Sequence, residues 1–165
     1  MPLVTLRDLY IAELQDLFDA ERQIIEALPA MAAAATSSLL RDAFTEHLEE
    51  TRVQLQRLEL LLGKLDVSTR SQICEGIRGL IAEGRRRIAE TERGDVLDAA
   101  LIGAAQRIEH YEIAAYGCAR TYARTLRDVD AEELLQQTLD EEGRTDKKLS
   151  QLAESIVNVE AMQEA

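Results

Sequence analysis

The stretch DAALIGAAQRIEHYEIAAYG, residues 98–117, decides how this chain folds. Apolar residues recur through it at steps of three and four, the spacing of one face of an α-helix. Leu97, Leu101, Ala104, Ile108, Ala115 and Ala119 form one stripe, and Ile102, Ala105 and Tyr116 form the adjoining one. Two acids fall in register with these apolar positions: Glu112 belongs to both stripes and Glu109 to the second. A helix that buries its apolar face here buries two carboxylates with it.

The same substitution of acid for apolar residue recurs on either side. Residues 5–34 read as a helix opened by Thr5 and Asp8, an oxygen-bearing cap with an acid in the first turn. Its stripe runs Tyr10, Leu14, Leu17, Glu21, Ile24, Leu28, Met31, with Glu21 as the interruption. Pro29 lies inside this pattern and predicts a kink or an early end. Thr36, Ser37 and Ser38 make a polar break, and a second helix is expected over 38–62 with Gly63 as its stop. On it Ala43, His47, Glu50 and Gln54 lie along the edge of a stripe made by Phe44, Leu48, Thr51, Leu55, Leu58 and Leu62. Residues 63–71 read as a loop. A weaker helix over 72–91, broken by Gly76, Gly79 and Gly84, reads as a crossover between two halves. Gly94 and Asp95 separate it from a helix over 96–126, and Asp130 with Glu133 opens a last helix over 131–157, leaving a frayed tail. This last helix carries Leu135, Leu139, Glu142, Asp146, Leu149, Ala153 and Ile156 on one face. Aligning Glu21 with Glu112 and Glu50 with Glu142 also matches Gln54 with Asp146, a weak internal repeat.

Composition agrees with a helical interior. The apolar share is 46%, Trp is absent, aromatics are 4% and prolines number 2, so Leu, Ile and Ala must build the core. The 165 residues suit one domain, 1–165. A net charge of −12 excludes a nucleic-acid backbone or an anionic membrane as the main partner. Arg85, Arg86 and Arg87 point in three directions around a helix and read as solvated. Cys74 and Cys118 are too few for a disulfide framework or a thiolate zinc site, and both read as small core residues. The first eight residues lack a basic start followed by an apolar run, and no stretch approaches about 18 consecutive apolar residues. A soluble, cytoplasmic protein is expected.

Burying one unpaired carboxylate costs several kcal/mol, whereas a domain is stable by only about 5–15 kcal/mol. Six acids in the core therefore require protonation, cationic neighbours or metal, and the inward faces offer few Lys or Arg positions. An all-α, ferritin-like antiparallel four-helix bundle with a crossover helix between its second and third main helices brings all six together. Oxygen-rich ligands with at most one or two imidazoles suit iron, expected as two ions, or manganese. His47 precedes Glu50 by three residues and reaches the same region, either as a ligand or as a contact behind one. His110 is turned away from Glu109 and Glu112 by helix geometry and reads as packing or as a contact behind a ligand. Tyr116, one turn from Glu112, reads as a core tyrosine or as a hydrogen-bond partner of a ligand.

The stretches LRDLYIAELQDLFDAERQ (6–23), HLEET (47–51), DAALIGAAQRIEHYEIAAYG (98–117) and TLDEEGRTDKKL (138–149) resemble the YciF-like stress-protein family of the ferritin-like superfamily. The resemblance covers almost the whole chain, and the third stretch is its most specific part. It implies a rubrerythrin-type bundle with a di-iron centre on Glu21, Glu50, Glu109, Glu112, Glu142 and Asp146. The superfamily's usual Glu-x-x-His is missing: Arg52 follows Glu49 at that spacing, Val53 follows Glu50 and Thr145 follows Glu142. The expected function is metal binding, with oxygen or peroxide as reactant. The alternative is a metal-free structural homodimer whose acids share protons with Gln54, Gln106 and the tyrosines. A peroxidase, an iron-oxidising enzyme or a manganese catalase needs, in addition, an open ligand position and a path for substrate.

Overall fold

The computed structural model describes residues 3–69 and 73–163, and these form helices with no strand among them. The main helices are α1 (Leu6–Ala34), α2 (Ser38–Lys64), α4 (Asp95–Thr125) and α5 (Val129–Leu152), with α3 (Glu75–Glu90) between the two pairs. A π-helical turn, Ala153–Val157, leads into the short α6, Asn158–Ala161. Tight connections make α1–α2 and α4–α5 antiparallel hairpins, and α1 packs on α4 while α2 packs on α5. The crossover helix α3 lies against α4 and α1. The expected ends at residues 1 and 165, and the expected crossover start at residue 72, lie outside the described residues.

Local chemistry explains the helix ends. Thr5 and Asp8 cap α1 reciprocally: Asp8 N–H donates to Thr5 Oγ1 at 3.1 Å, and Thr5 N–H donates to Asp8 Oδ2 at 2.9 Å. Helix α1 runs through Pro29 to Ala34, with the proline on its exposed face, where water can take up the carbonyl left without a donor. Asp98, fully buried in the first turn of α4, accepts from the backbone N–H of Thr36 at 2.8 Å and of Ser37 at 2.6 Å. It thereby pins the α1–α2 turn to the other hairpin. Three boundary expectations are corrected. Helix α2 passes Gly63, and the turn is taken by Asp66 at φ 55°. The cap of α5 is Asp128, which accepts from Ala131 N–H, not Asp130. Of the tail expected to fray, residues 158–161 form α6, which follows the buried Val157 and packs back on α4, while residues 164 and 165 lie outside the described residues.

Two apolar clusters fill the bundle. One contains Ile24, Leu28, Leu40, Phe44, Ile77, Leu101, Ile108 and Leu149; the other contains Leu14, Leu17, Leu58, Leu62, Ala115, Tyr116 and Leu135. Glu21 lies between Leu17 and Ile24 in the chain, Glu112 between Ile108 and Ala115, and Glu142 between Leu135 and Leu149. The core is thus divided by a polar layer, with Glu21, His47, Thr51, Gln54, Glu109, Glu112, Thr138 and Glu142 all buried.

Every residue of the stripes read on α1 and α4 is buried. The faces of α2 and α5 are rotated from the expected ones: His47 and Gln54 are buried while Leu48 and Leu55 are half-buried, and Thr138 is buried in place of Leu139. Cys74 is in the core as expected, but Cys118 is exposed on the solvent side of α4. Arg85, Arg86 and Arg87 are exposed. No helix among the described residues is long and apolar enough to cross a membrane.

Candidate metal centre

Four buried side chains from three helices converge in the polar layer. His47 comes from α2, Glu109 and Glu112 stand one turn apart on α4, and Glu142 comes from α5. One nitrogen or oxygen of each lies within 4.8 Å of those of the others. Glu21 of α1 adjoins Glu112, and Glu109 adjoins Glu142. His47 Nε2 lies 3.1 Å from Glu109 Oε1, within ion-pair reach but not aligned as a hydrogen bond. Its Nδ1 is 3.9 Å from Glu50 Oε2.

A set of braces surrounds the cluster. Tyr116 donates its hydroxyl hydrogen to Glu21, so this tyrosine is both a core residue and a partner of a cluster acid. The Gln54 amide donates to Glu142 and, at 3.1 Å, to Glu141 Oε2. Arg57 grips both oxygens of Glu141 at 2.6 and 2.8 Å and reaches Thr138 Oγ1 at 3.1 Å. Glu142 is therefore held from behind by a chain of three side chains between α2 and α5. Arg57 and Glu141 are absent from the sequence reading; the one available signal is that Arg57 follows the inward Gln54 by three residues.

The braces leave most of the cluster's hydrogen-bonding capacity unused. Glu21 Oε2, Glu109 Oε2, both oxygens of Glu112 and Glu142 Oε2 are buried without a hydrogen-bond partner. Burial pushes the Glu21 carboxyl up to about 8, with the Tyr116 hydrogen bond opposing that rise. Burial first, and neighbouring carboxylates second, raise Glu112 and Glu142 well above the usual carboxylate range. At His47 burial works to lower the imidazolium, but Glu109, Glu50 and Glu142 outweigh it and hold the ring well above its ordinary value. Glu50 is held below its usual range chiefly by the His47 imidazole 3.9 Å away. The layer concentrates negative charge around a single imidazole, an arrangement that a multivalent cation would neutralise.

Of the acids read from the sequence, Glu109, Glu112 and Glu142 meet with His47, Glu21 stands against them, and Glu50 sits at the rim with 37% of its side chain exposed. Asp146 does not join them. Its Oδ1 accepts from Gln106 Nε2 at 3.1 Å and lies 3.3 Å from His110 Nε2. Four residues beyond Glu142, it is turned by about 40° around α5, toward the outer seam with α4. His110 is likewise not a packing residue, since 68% of its side chain is exposed.

A pocket of about 160 Å³ leads to this layer between α2, α4 and α5. It extends from Glu46, Arg144 and Lys148 at the surface to the buried His47 and Glu109.

A bundle of two helical hairpins joined by a crossover helix, with buried carboxylates and an imidazole at mid-height, is a ferritin-like bundle with a candidate metal centre. The chain belongs to the family described as "Domain of unknown function (DUF892)", which it matches over residues 5–162. It is 41% identical to Protein YciF of Escherichia coli (strain K12) over 166 residues, covering 100% of both chains. The crystal structure of the E. coli stress protein YciF superposes with a TM-score of 0.90 at 41% identity, covering 94% of this chain and 99% of that one. YcfI from Rhodopseudomonas palustris, suggested to be a structural protein, superposes with a TM-score of 0.86 at 39% identity over 89% of this chain and 94% of its own. A protein from Xanthomonas campestris, 21% identical, shares the fold with a TM-score of 0.77 over 97% of this chain and 99% of its own.

Proposed function

We propose that this chain is a metal-binding protein of the ferritin-like class, with two iron ions, or manganese in their place, held by Glu21, His47, Glu50, Glu109, Glu112 and Glu142. The observation that carries this reading is the set of five buried carboxylate oxygens without a hydrogen-bond donor. A fold stable by about 5–15 kcal/mol does not retain several such groups for packing, since leucine would serve better there. Carboxylate oxygens with one imidazole are the donor set of iron and manganese. When bound, the ions supply redox chemistry toward oxygen or peroxide.

The protein's own residues divide the remaining work. Glu112, with both oxygens free and with Glu21 and Glu142 as neighbours, is the candidate shared ligand. Gln54, backed by Glu141 and Arg57, orients Glu142, and Tyr116 orients Glu21. The pocket ending at His47 and Glu109 admits small molecules and excludes large ones. The proposal includes a cytoplasmic homodimer; sedimentation that reads a single 18.4 kDa species would remove that element.

A second reading has an observation in its favour. Glu21, Glu112 and Glu142 are raised toward protonation, so a metal-free structural protein with neutral core acids accounts for the same cluster. Metal analysis after anaerobic loading with ferrous or manganous ions decides between them. The parent should retain about two equivalents, and a Glu112→Gln, Glu142→Gln variant that keeps its helical circular dichroism should lose most of them. A parent that remains empty would leave the structural reading.

A further inference from the structure

We propose that a divalent cation reaches the centre through the pocket between α2 and α5, with Glu46 as its first ligand and the Lys148 ammonium as the stand-in cation that it displaces. This rests on the reading of the buried cluster as a metal centre. Glu46 and Glu50 are four residues apart on α2 and so lie on one face, a turn above one another. Side-chain exposure falls along the pocket from 62% at Glu46 to 37% at Glu50, 5% at His47 and 1% at Glu109. An oxygen or nitrogen donor is therefore available at each step from solvent to the buried layer. The inner end is unsatisfied: neither ring nitrogen of His47 is aligned with a hydrogen-bond partner, and Glu109 Oε2 has none. Between the donors the walls include the apolar Phe44, Ala105 and Leu149, and Thr145 on the α5 side donates its hydroxyl to Glu50.

Other hollows in the core do not serve. One of about 20 Å³, between α1, α3 and α4, is lined by apolar residues and Arg85 and offers a cation no donor; another of about 10 Å³, between α1, α2 and α4, touches His47 and Glu109 but is too small for an ion that carries water. The α2–α5 pocket, at about 160 Å³, has room for an ion that keeps part of its water shell.

The mouth carries its own counter-ions. Lys148 of α5 donates to Glu46 of α2, and Arg144, one turn earlier on α5, faces Glu50. Both Lys148 and Glu46 are substantially exposed, and an ion pair in that setting is weak. Lys148 therefore keeps Glu46 satisfied between arrivals and yields to a doubly charged ion at little cost. A monovalent cation gains too little to displace it, which makes the pair a filter for charge.

Cobaltous ion, whose visible absorption rises on binding, is the probe. Metal-free full-length protein is mixed with it in a stopped-flow instrument, and the final stoichiometry is read from the same traces. Glu46→Gln should slow uptake by about tenfold and Lys148→Met should accelerate it, with equilibrium stoichiometry unchanged in both. Lys147→Met, with the same change of net charge on an exposed neighbour outside the pocket, should leave the rate at the parent value. Equal rates for Glu46→Gln and the parent would overturn the route and leave the centre standing. Acceleration in both mouth variants would do the same, because it would mean that the pair merely holds α2 and α5 together. A Lys147→Met rate that rises as far as that of Lys148→Met would also overturn it, showing general attraction by net charge. No cobalt bound by the parent at any time would overturn the metal centre and the route together.

Discussion

Replacing Glu112 by leucine should make the metal-free protein more stable. Glu112 is 1% exposed, neither oxygen accepts from a donor other than a neighbouring carboxyl, and its neighbours are Glu21, within hydrogen-bond reach when one of the two is protonated, Glu109 and Glu142. Its removal eliminates a desolvated carboxyl and the repulsion it shares with three others, at nearly constant volume. Substitution of apolar side chains for buried ionic groups has stabilised proteins by about 1–4 kcal/mol, and about 2 kcal/mol is expected for this single group at pH 8. For a chain of this length that corresponds to a rise in melting temperature of about 4–8 °C. The sign with pH follows from the direction of the shifts. Glu21, at about 8, and Glu112 and Glu142, raised well above the usual range, all titrate higher in the folded than in the unfolded chain. Their contribution is complete below about pH 4.3, the unfolded value, and is lost as the pH rises toward 8. The parent should weaken over that window, and the advantage of Glu112→Leu should widen across it. Thermal unfolding followed by circular dichroism in the presence of chelator, at pH 4.5 and pH 8, measures both. Saturating manganous ion should then reverse the order, because the ions stabilise only the protein that retains its ligands. A leucine variant less stable than the parent in chelator at pH 8 would refute the reasoning, since Glu112 would have to be held by donors the structure does not show.

Five further substitutions test the braces and the backbone. Tyr116→Phe removes the donor to Glu21 and should cost about 1 kcal/mol at pH 5, rising toward about 3 kcal/mol at pH 9 as the acceptor becomes charged; melting curves that differ equally at both pH values would count against a charge-assisted bond. Arg57→Met releases Glu141 in a pair only 15–18% exposed and should cost about 1–3 kcal/mol in urea unfolding, whereas Arg52→Met, at an exposed pair with Glu49, should leave the midpoint unchanged. Alanine should act with opposite sign at two glycines. Gly143→Ala, in mid-helix with no atom near the added Cβ, should stabilise by about 0.5–1 kcal/mol, and Gly76→Ala should lower the melting temperature because its Cβ would come within 2.5 Å of the Tyr111 ring.

Helices α1 and α4 were legible residue by residue because apolar side chains mark their buried faces and each acid merely interrupts a stripe already defined. Helix α2 was not, for a physical reason. Near the centre its inward positions are His47, Thr51 and Gln54, while Leu48 and Leu55 beside them are only half-buried. A rule that turns the apolar residues inward therefore rotates the helix by about 50°, half the step between neighbouring residues. The same error placed Leu139 inside on α5, where Thr138 is the buried residue. The wrong face of α5 also carried Asp146 into the expected ligand set, where the structure turns it to Gln106 and His110. Boundaries failed more locally. Gly63 has the right residue type for a helix stop, but nothing in its neighbourhood requires a left-handed turn, and the chain turns at Asp66 instead.

The features that made the site readable are those that oppose the fold. Glu21, Glu109, Glu112 and Glu142 are conspicuous because each occupies a place where leucine would pack and stabilise. The architecture confines that cost to one layer between two apolar clusters, each continuous across the helices that form it. Braces from Tyr116, Gln54 and Arg57 then fix individual oxygens without satisfying the rest. On the proposed reading, the layer holds its oxygens in place before a cation arrives, so little ordering would oppose binding. The reversed order of stability expected for Glu112→Leu with and without metal follows from the same proposal: acids that weaken the metal-free fold are the ones that would hold the cation.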